Sequence, residues 1–206
     1  MAMFLKTPAG GVAGYGARSL LVTVLILLLT ACSGGPSLKD EIIRFEPTYA
    51  KPPAQEGILH ELATGITAEH GPEASGFRLL DQSFNALSAR LALIDSAVST
   101  LDIQTYLWYP DNAGRLMLER AIHAANRGVH VRLVVDDLLT IGQDQLIYEL
   151  DQRANIEVRL FNPWKSRSTL ARAGEMVAEM ERLNTRMHDK LLIADSNAAV
   201  VGGRNI

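Results

Sequence analysis

Met187-His188-Asp189-Lys190-Leu191-Leu192-Ile193-Ala194-Asp195, then Ser196 to Val201, then Gly202-Gly203-Arg204-Asn205, is the stretch that decides the fold. As a pattern it reads HxK, four residues, D, six residues, GGxN. Leu191 to Ala194 is a continuous apolar run that ends in Asp195. A second run, Ala198 to Val201, ends in the glycine pair. Short apolar runs bounded by turn formers predict buried strands. Asp195-Ser196-Asn197 is a turn sequence between them.

Residues two apart on a strand share a face, so His188 and Lys190 are predicted to project together, with Asp189 opposed. An ammonium holds an anion as a point charge. A neutral imidazole beside it can attack phosphorus or pass a proton. Gly202 and Gly203 would let backbone approach the same spot. Asn205 would add an amide donor. A histidine near a lysine is commonly a surface accident. Fixed spacing across five positions, with strand-like residues between them, is not.

This pattern resembles the signature of the phospholipase D superfamily. The flanks Arg182-Leu183-Asn184 and Arg204-Asn205-Ile206 resemble the bacterial cardiolipin synthase branch. The similarity runs from about Phe77 to the end. It includes Leu101–Trp108, Arg127–Asp137 and Leu160-Phe161-Asn162-Pro163. The resemblance implies phosphodiester transfer in two steps. One histidine attacks phosphorus to give a phosphohistidine, and a second protonates the leaving alcohol and activates the incoming one. Lysines and asparagines neutralise the phosphoryl oxygens, so no cofactor and no metal are expected. His188, Lys190 and Asp195 are the catalytic candidates. Lys190, Asn205, Gly202 and Gly203 are the phosphate-binding ones. Asp195 opens a turn and is expected to brace the site rather than touch phosphate.

Such a site needs two facing HxK elements, and this chain holds one. The expectation is therefore the N-terminal half of a two-motif enzyme. A second copy completing a two-fold site and an inactive chain are the alternatives. The expected activity is phosphatidyl transfer on a phospholipid. A secreted phosphodiesterase or nuclease acting as a dimer, and an inactive membrane-tethered lipid-binding module, remain open.

The 206 residues suffice for a targeting segment and one domain, at 48% apolar content. A net charge of −3 weighs against a general nucleic-acid binder, and none is expected as partner. Lys6 and Arg18 precede an apolar run, Leu20 to Leu29, of signal-peptide length. Leu29-Thr30-Ala31-Cys32 resembles the bacterial lipobox, which implies lipidation of Cys32, the single cysteine. Ser33 after it favours the outer membrane, on the periplasmic side, by resemblance to enterobacterial sorting. The domain reading is a signal peptide with lipobox over 1–32, a tether over 33–76 and a phospholipase D-like domain over 77–206. The tether is rich in Pro and Gly, with a short helix possible near Ile58–Ala68.

Within the domain, Leu79–Val98 is predicted helical, with the stripe Leu80, Phe84, Leu87, Leu91, Ile94 and Val98 facing a core and Arg90 off it. Strands follow at Leu101–Leu107, Val129–Val135 and Ile156–Phe161. Helices are predicted at Gly114–Asn126, Gln143–Arg153 and Thr169–Leu183. In the last, Arg172, Glu175, Glu179 and Arg182 are read as solvated, and Leu170, Ala173, Val177 and Met180 as facing the site or lipid. Trp108 and Tyr109 are core caps or a headgroup pocket. Asp136 and Asp137 are read as turn and cap residues. His123 and His130 are read as packed, and His60 and His70 as solvated. The fold class is α/β, a largely parallel or mixed sheet flanked by helices, incomplete because only the first half is present.

Overall fold

The structure, a computed structural model, describes residues 47–206 except Leu139 and Ile141. The expected signal peptide and Cys32 lie outside the described residues. Among the described residues no helix is long and apolar enough to cross a membrane.

A five-stranded mixed sheet forms the centre, in the order β3-β2-β1-β4-β5. The strands are β1 (Thr100–Thr105), β2 (His130–Asp136), β3 (Ile156–Phe161), β4 (Leu191–Ala194) and β5 (Ala198–Val201). β1, β2 and β3 run parallel, and β4 and β5 add antiparallel. Parallel neighbours need crossovers. α3 (Asn112–Asn126) makes the first, and α4 (Asp144–Asp151) the second. α1 (Ile58–His70) and α2 (Ser83–Ser96) precede the sheet. α5 (Thr169–Ala178) and α6 (Met180–Asn184) lie between β3 and β4.

Strand alternation sets the core. Leu101, Ile103, Val131, Leu133, Ile156 and Leu192 are buried in one cluster with Ile94 of α2 and Met117 and Ala121 of α3. Burying each large side chain contributes about 1.5–3 kcal/mol. Alternate residues of the same strands carry ion pairs instead. Arg132 meets Asp102, and His130 Nε2 lies 3.0 Å from Glu157. His130 is therefore half-buried and paired.

The segment expected to be a tether is partly structured. Arg132 donates to the Tyr49 carbonyl (2.9 Å), and Ala54 N–H donates to Asp195 O (3.0 Å). Leu59 of α1 joins the core. The stripe read for α2 is corrected. Phe84 is 79% exposed and Val98 is exposed, whereas Arg90 is only 8% exposed. The guanidinium of Arg90 donates to the carbonyls of Ala86 and Arg204, both at 3.3 Å, which its arginine length permits from a half-covered helix face. Burial, then the nearby Arg204, lowers its affinity for its proton. His123, expected to pack, is exposed on α3.

The β4–β5 hairpin turns through Asp195 and Ser196, with φ of 55° and 53°. Two positive φ values in succession match the right-handed twist of the strands. The Asp195 carboxylate is buried at this turn. It accepts the N–H groups of Val98 (2.9 Å), Ser99 (2.7 Å) and Thr100 (3.0 Å), which enter β1. Asp195→Asn should therefore lower stability by about 2–3 kcal/mol, since amides bonded to a charge are the stronger kind. A urea midpoint moving at constant slope would measure it.

Candidate active site

Strand direction brings four chain segments to one edge of the sheet. β1, β2 and β3 end there, and the antiparallel β4 begins there. Outside the carboxyl ends of parallel strands is where α/β sheets bind ligands. His188 and Lys190 sit at this edge, just before β4.

Their side chains share one neighbour, Tyr106, at the end of β1. The His188 ring lies 4.3 Å from the Tyr106 ring, tilted by 44°. Lys190 Nζ is 5.1 Å from the Tyr106 ring centroid and donates to the His188 carbonyl at 2.6 Å. Asp189 instead accepts from Gln104 Nε2 at 3.4 Å. The alternation expected of the HxK triplet is thus present although β4 proper starts at Leu191. His188 is exposed and Lys190 half-buried. Among the described residues neither forms an ion pair with a carboxylate. An imidazole and an ammonium stay available on an open edge.

Asn205 comes to the same edge from the other side. Its Oδ1 accepts from Leu107 N–H (3.4 Å), next to Tyr106. Ile206 N–H donates to Leu107 O, and Tyr109 N–H to Ile206 O, so residues 205–206 run beside the segment that follows β1. The glycine pair lies exposed after β5, with open space on the side a Cβ would take. A Cβ at Gly202 or Gly203 would meet nothing within 4 Å, and Gly202 N–H donates to Lys190 O. Asp195 lies at the opposite end of β4 from His188. It stiffens the hairpin and reaches no part of the HxK pair.

Asp136 and Asp137 are more than turn residues. Both are buried. Asp136 Oδ1 accepts from Arg186 Nη1 (3.0 Å) and Oδ2 from Met187 N–H (3.1 Å). It therefore pins the two residues before His188 to the end of β2. Asp137 takes Arg167 (2.8 Å), Trp164 N–H (2.7 Å) and the Thr140 hydroxyl. Among the described residues no group of three or more His, Cys, Asp or Glu could hold a metal ion.

The helix expected over Thr169–Leu183 is broken at Glu179, where φ is −128° and ψ 32°. The charges read as solvated are paired. Arg182 reaches Glu175 and Glu179 at 2.5 Å each, and Asn162 Oδ1 at 2.6 Å. Arg172 stacks over Trp164, 4.5 Å from its centroid. With the charges turned inward, Leu170 and Val177 are 86% and 80% exposed. The ammonium of Lys165 and the guanidinium of Arg182 hold the Glu179 carboxyl below its usual range. A depressed folded-state value means stability present above the unfolded value and lost as pH falls through the folded one. Amide protection factors in α5 and α6, corrected for the intrinsic exchange rate, should fall on acidification below the usual glutamate range, before those of the strands.

An HxK pair at the sheet edge, its lysine free of carboxylates among the described residues, meets a family match over the same region. The model of the cardiolipin synthase family's phospholipase D-like domain matches residues 91–206, more than half of the chain. The chain belongs to that family. Cardiolipin synthase C of Escherichia coli K12 is 44% identical over 141 residues, covering 68% of this chain and 29% of that protein. An uncharacterised protein of Helicobacter pylori J99 is 39% identical over 138 residues, covering 67% and 28%. The chain thus spans under a third of these relatives. Among solved structures, NucT from Helicobacter pylori superposes with a TM-score of 0.44 at 21% identity, covering 63% of this chain and 72% of that one.

Sequence reading missed two members of this cardiolipin synthase-like site. Tyr106 falls inside the strand expected over Leu101–Leu107, and Arg186 lies just before the HxK pattern. The signal for Tyr106 was its place at the end of a strand that neighbours the HxK strand. That adjacency is tertiary information. For Arg186 the signal was an acidic pair ending β2, which a buried basic partner would satisfy.

Proposed function

We propose that this chain supplies one half of the active site of a phosphatidyltransferase that acts on phospholipids. The observation that carries the reading is the convergence of His188 and Lys190 on Tyr106 at an open sheet edge, with no carboxylate among the described residues to neutralise them. Lys190 holds a phosphoryl oxygen. His188, as nucleophile, forms an N–P bond while the P–O bond to one glycerol alcohol breaks. An imidazole from a second HxK element protonates that alcohol. The same imidazole then removes a proton from the incoming alcohol, which attacks phosphorus and releases His188. With the roles of the two imidazoles exchanged, His188 is the acid and base. One phosphodiester is consumed and one formed, with no change of oxidation state. The Asn205 amide donates to the phosphoryl oxygens as charge builds.

The second element comes from further sequence of the same protein or from a second copy. Lipidation of Cys32 would hold the domain at a bacterial membrane, and the outward Leu170 and Val177 suit a lipid surface. Thin-layer analysis of lipids from cells expressing the gene, with and without His188→Ala, tests the reading. Added cardiolipin that disappears with His188→Ala supports it. Unchanged cardiolipin in both, with DNA degraded by the purified protein, would place the chain among nucleases instead. Vesicle binding with no turnover and no phosphohistidine would leave a binding module.

A further inference from the structure

A cavity of about 330 Å³ opens between the sheet and the two crossover helices. Its floor is Leu133 of β2 with Val158 and Leu160 of β3, and its walls are Leu118 of α3 and Leu146 and Ile147 of α4. Trp108, Tyr109 and Pro110 line it from the β1–α3 loop. That loop is the continuation of the strand whose last aromatic, Tyr106, touches His188 and Lys190. Cavity and HxK pair therefore lie at the same edge of the sheet.

Three observations say what fits. The volume lies at the low end for ligand pockets, roughly eleven water-sized units, which suits one narrow chain. The buried polar side chains of the wall are already taken, and the Gln143 amide and Tyr109 hydroxyl sit at part-exposed positions. Asp136 is bonded to Arg186, Met187 and Leu138, and Trp108 Nε1 donates to Gly114 O (3.1 Å). A sugar or a base would lose its own hydrogen bonds there, and an alkyl chain loses none. Arg115 stands at the lining, exposed, and spends only its Nε on the Pro110 carbonyl. Among the described residues it pairs with no carboxylate, so an anion at the mouth is favoured. The site is also built rather than incidental. A Cβ at Gly114 would come within 2.0 Å of Tyr109 O, so only glycine lets the Trp108–Tyr109 loop close on α3.

We propose that this cavity takes one acyl chain of the anionic phospholipid, with the headgroup phosphate lying past Arg115 toward His188. The inference rests on the phosphatidyl transfer reading for the identity of the ligand. It is tested by a readout that does not need turnover. Trp108 and Trp164 are the two tryptophans of the chain. The probe is a lysophosphatidylglycerol whose acyl chain carries bromine, a contact quencher, kept below its micelle concentration. Quenching is expected in the full chain and in Trp164→Phe, and its loss in Trp108→Phe. Leu146→Glu sets a carboxylate at the half-exposed mouth, where folding is least at risk, and should weaken binding about tenfold or more. Leu118→Phe fills the space and should do the same. Arg115→Ala should weaken the anionic probe while sparing a brominated long-chain alcohol. Brominated stearic acid binding as tightly as the lysolipid would assign the cavity to free fatty acid and overturn the phospholipid assignment. Quenching that survives Trp108→Phe, or is equal in wild type, Leu146→Glu and Leu118→Phe, would overturn the site itself. If the protein proves to transfer no phosphatidyl group, the quenching result still decides whether the cavity binds a chain.

Discussion

Asp136→Ala should lower the stability of the domain by about 3–5 kcal/mol, the usual cost of removing one partner from a buried ion pair. Arg186 would keep its charge with only 11% of its side chain exposed, and the Met187 N–H would lose its acceptor. For a domain of this size that corresponds to a fall in Tm of roughly 6–20 °C. The double change Asp136→Leu with Arg186→Met should recover part of the loss, because no uncompensated charge remains. Activity should recover less than stability, since the double variant no longer pins the segment that carries His188. Equal recovery of both would show that the pair serves the fold alone. A loss under about 1 kcal/mol for Asp136→Ala would mean that water reaches the pair.

His188→Ala, in the protein assembled with its second HxK element, should reduce transfer by about 10⁴-fold or more, as removal of a nucleophile or of its acid–base partner does. Lys190→Ala removes a fixed cation from the charge that develops on phosphorus, and about 10²–10³-fold is expected, mostly in kcat. Lys190→Arg should restore only part, because a planar fork does not occupy the place of a compact ammonium. The double variant should be little worse than His188→Ala alone, since groups that act as a unit are not additive. Steady-state transfer between phosphatidylglycerol molecules measures all four proteins. Retention of wild-type kcat in Lys190→Ala would remove that side chain from the site.

The strands and the hairpin were legible because their signals are local. Leu191–Ala194, Asp195-Ser196-Asn197 and Ala198–Val201 carry apolar runs and a turn whose chemistry is written in consecutive residues. The pairing of His188 with Lys190 was legible for the same reason, since a period of two is a backbone property. The cardiolipin synthase resemblance drawn from those residues matches the family found over 91–206. Other features depended on partners distant in the chain. Arg90 looked like a surface residue because its acceptors include the Arg204 carbonyl, 114 positions away. Asp136 and Asp137 looked like caps because Arg186 and Arg167 arrive from the segment after β3. Glu175 and Glu179 looked solvated at helical spacing, until a break at Glu179 let Arg182 fold back on both. Tyr106 went unnoticed because only the sheet order puts β1 beside β4.

If His188 and Lys190 grip a phosphoryl group as proposed, nuclear magnetic resonance on the full chain reads it directly, at fixed pH and ionic strength. Inorganic phosphate added against a chloride control should shift the His188 ring Cε1–H resonance saturably, and Lys190→Ala should abolish the shift while leaving the His123 resonance as in wild type. A His188 resonance that ignores phosphate, or that moves equally with and without the Lys190 ammonium, would contradict the account.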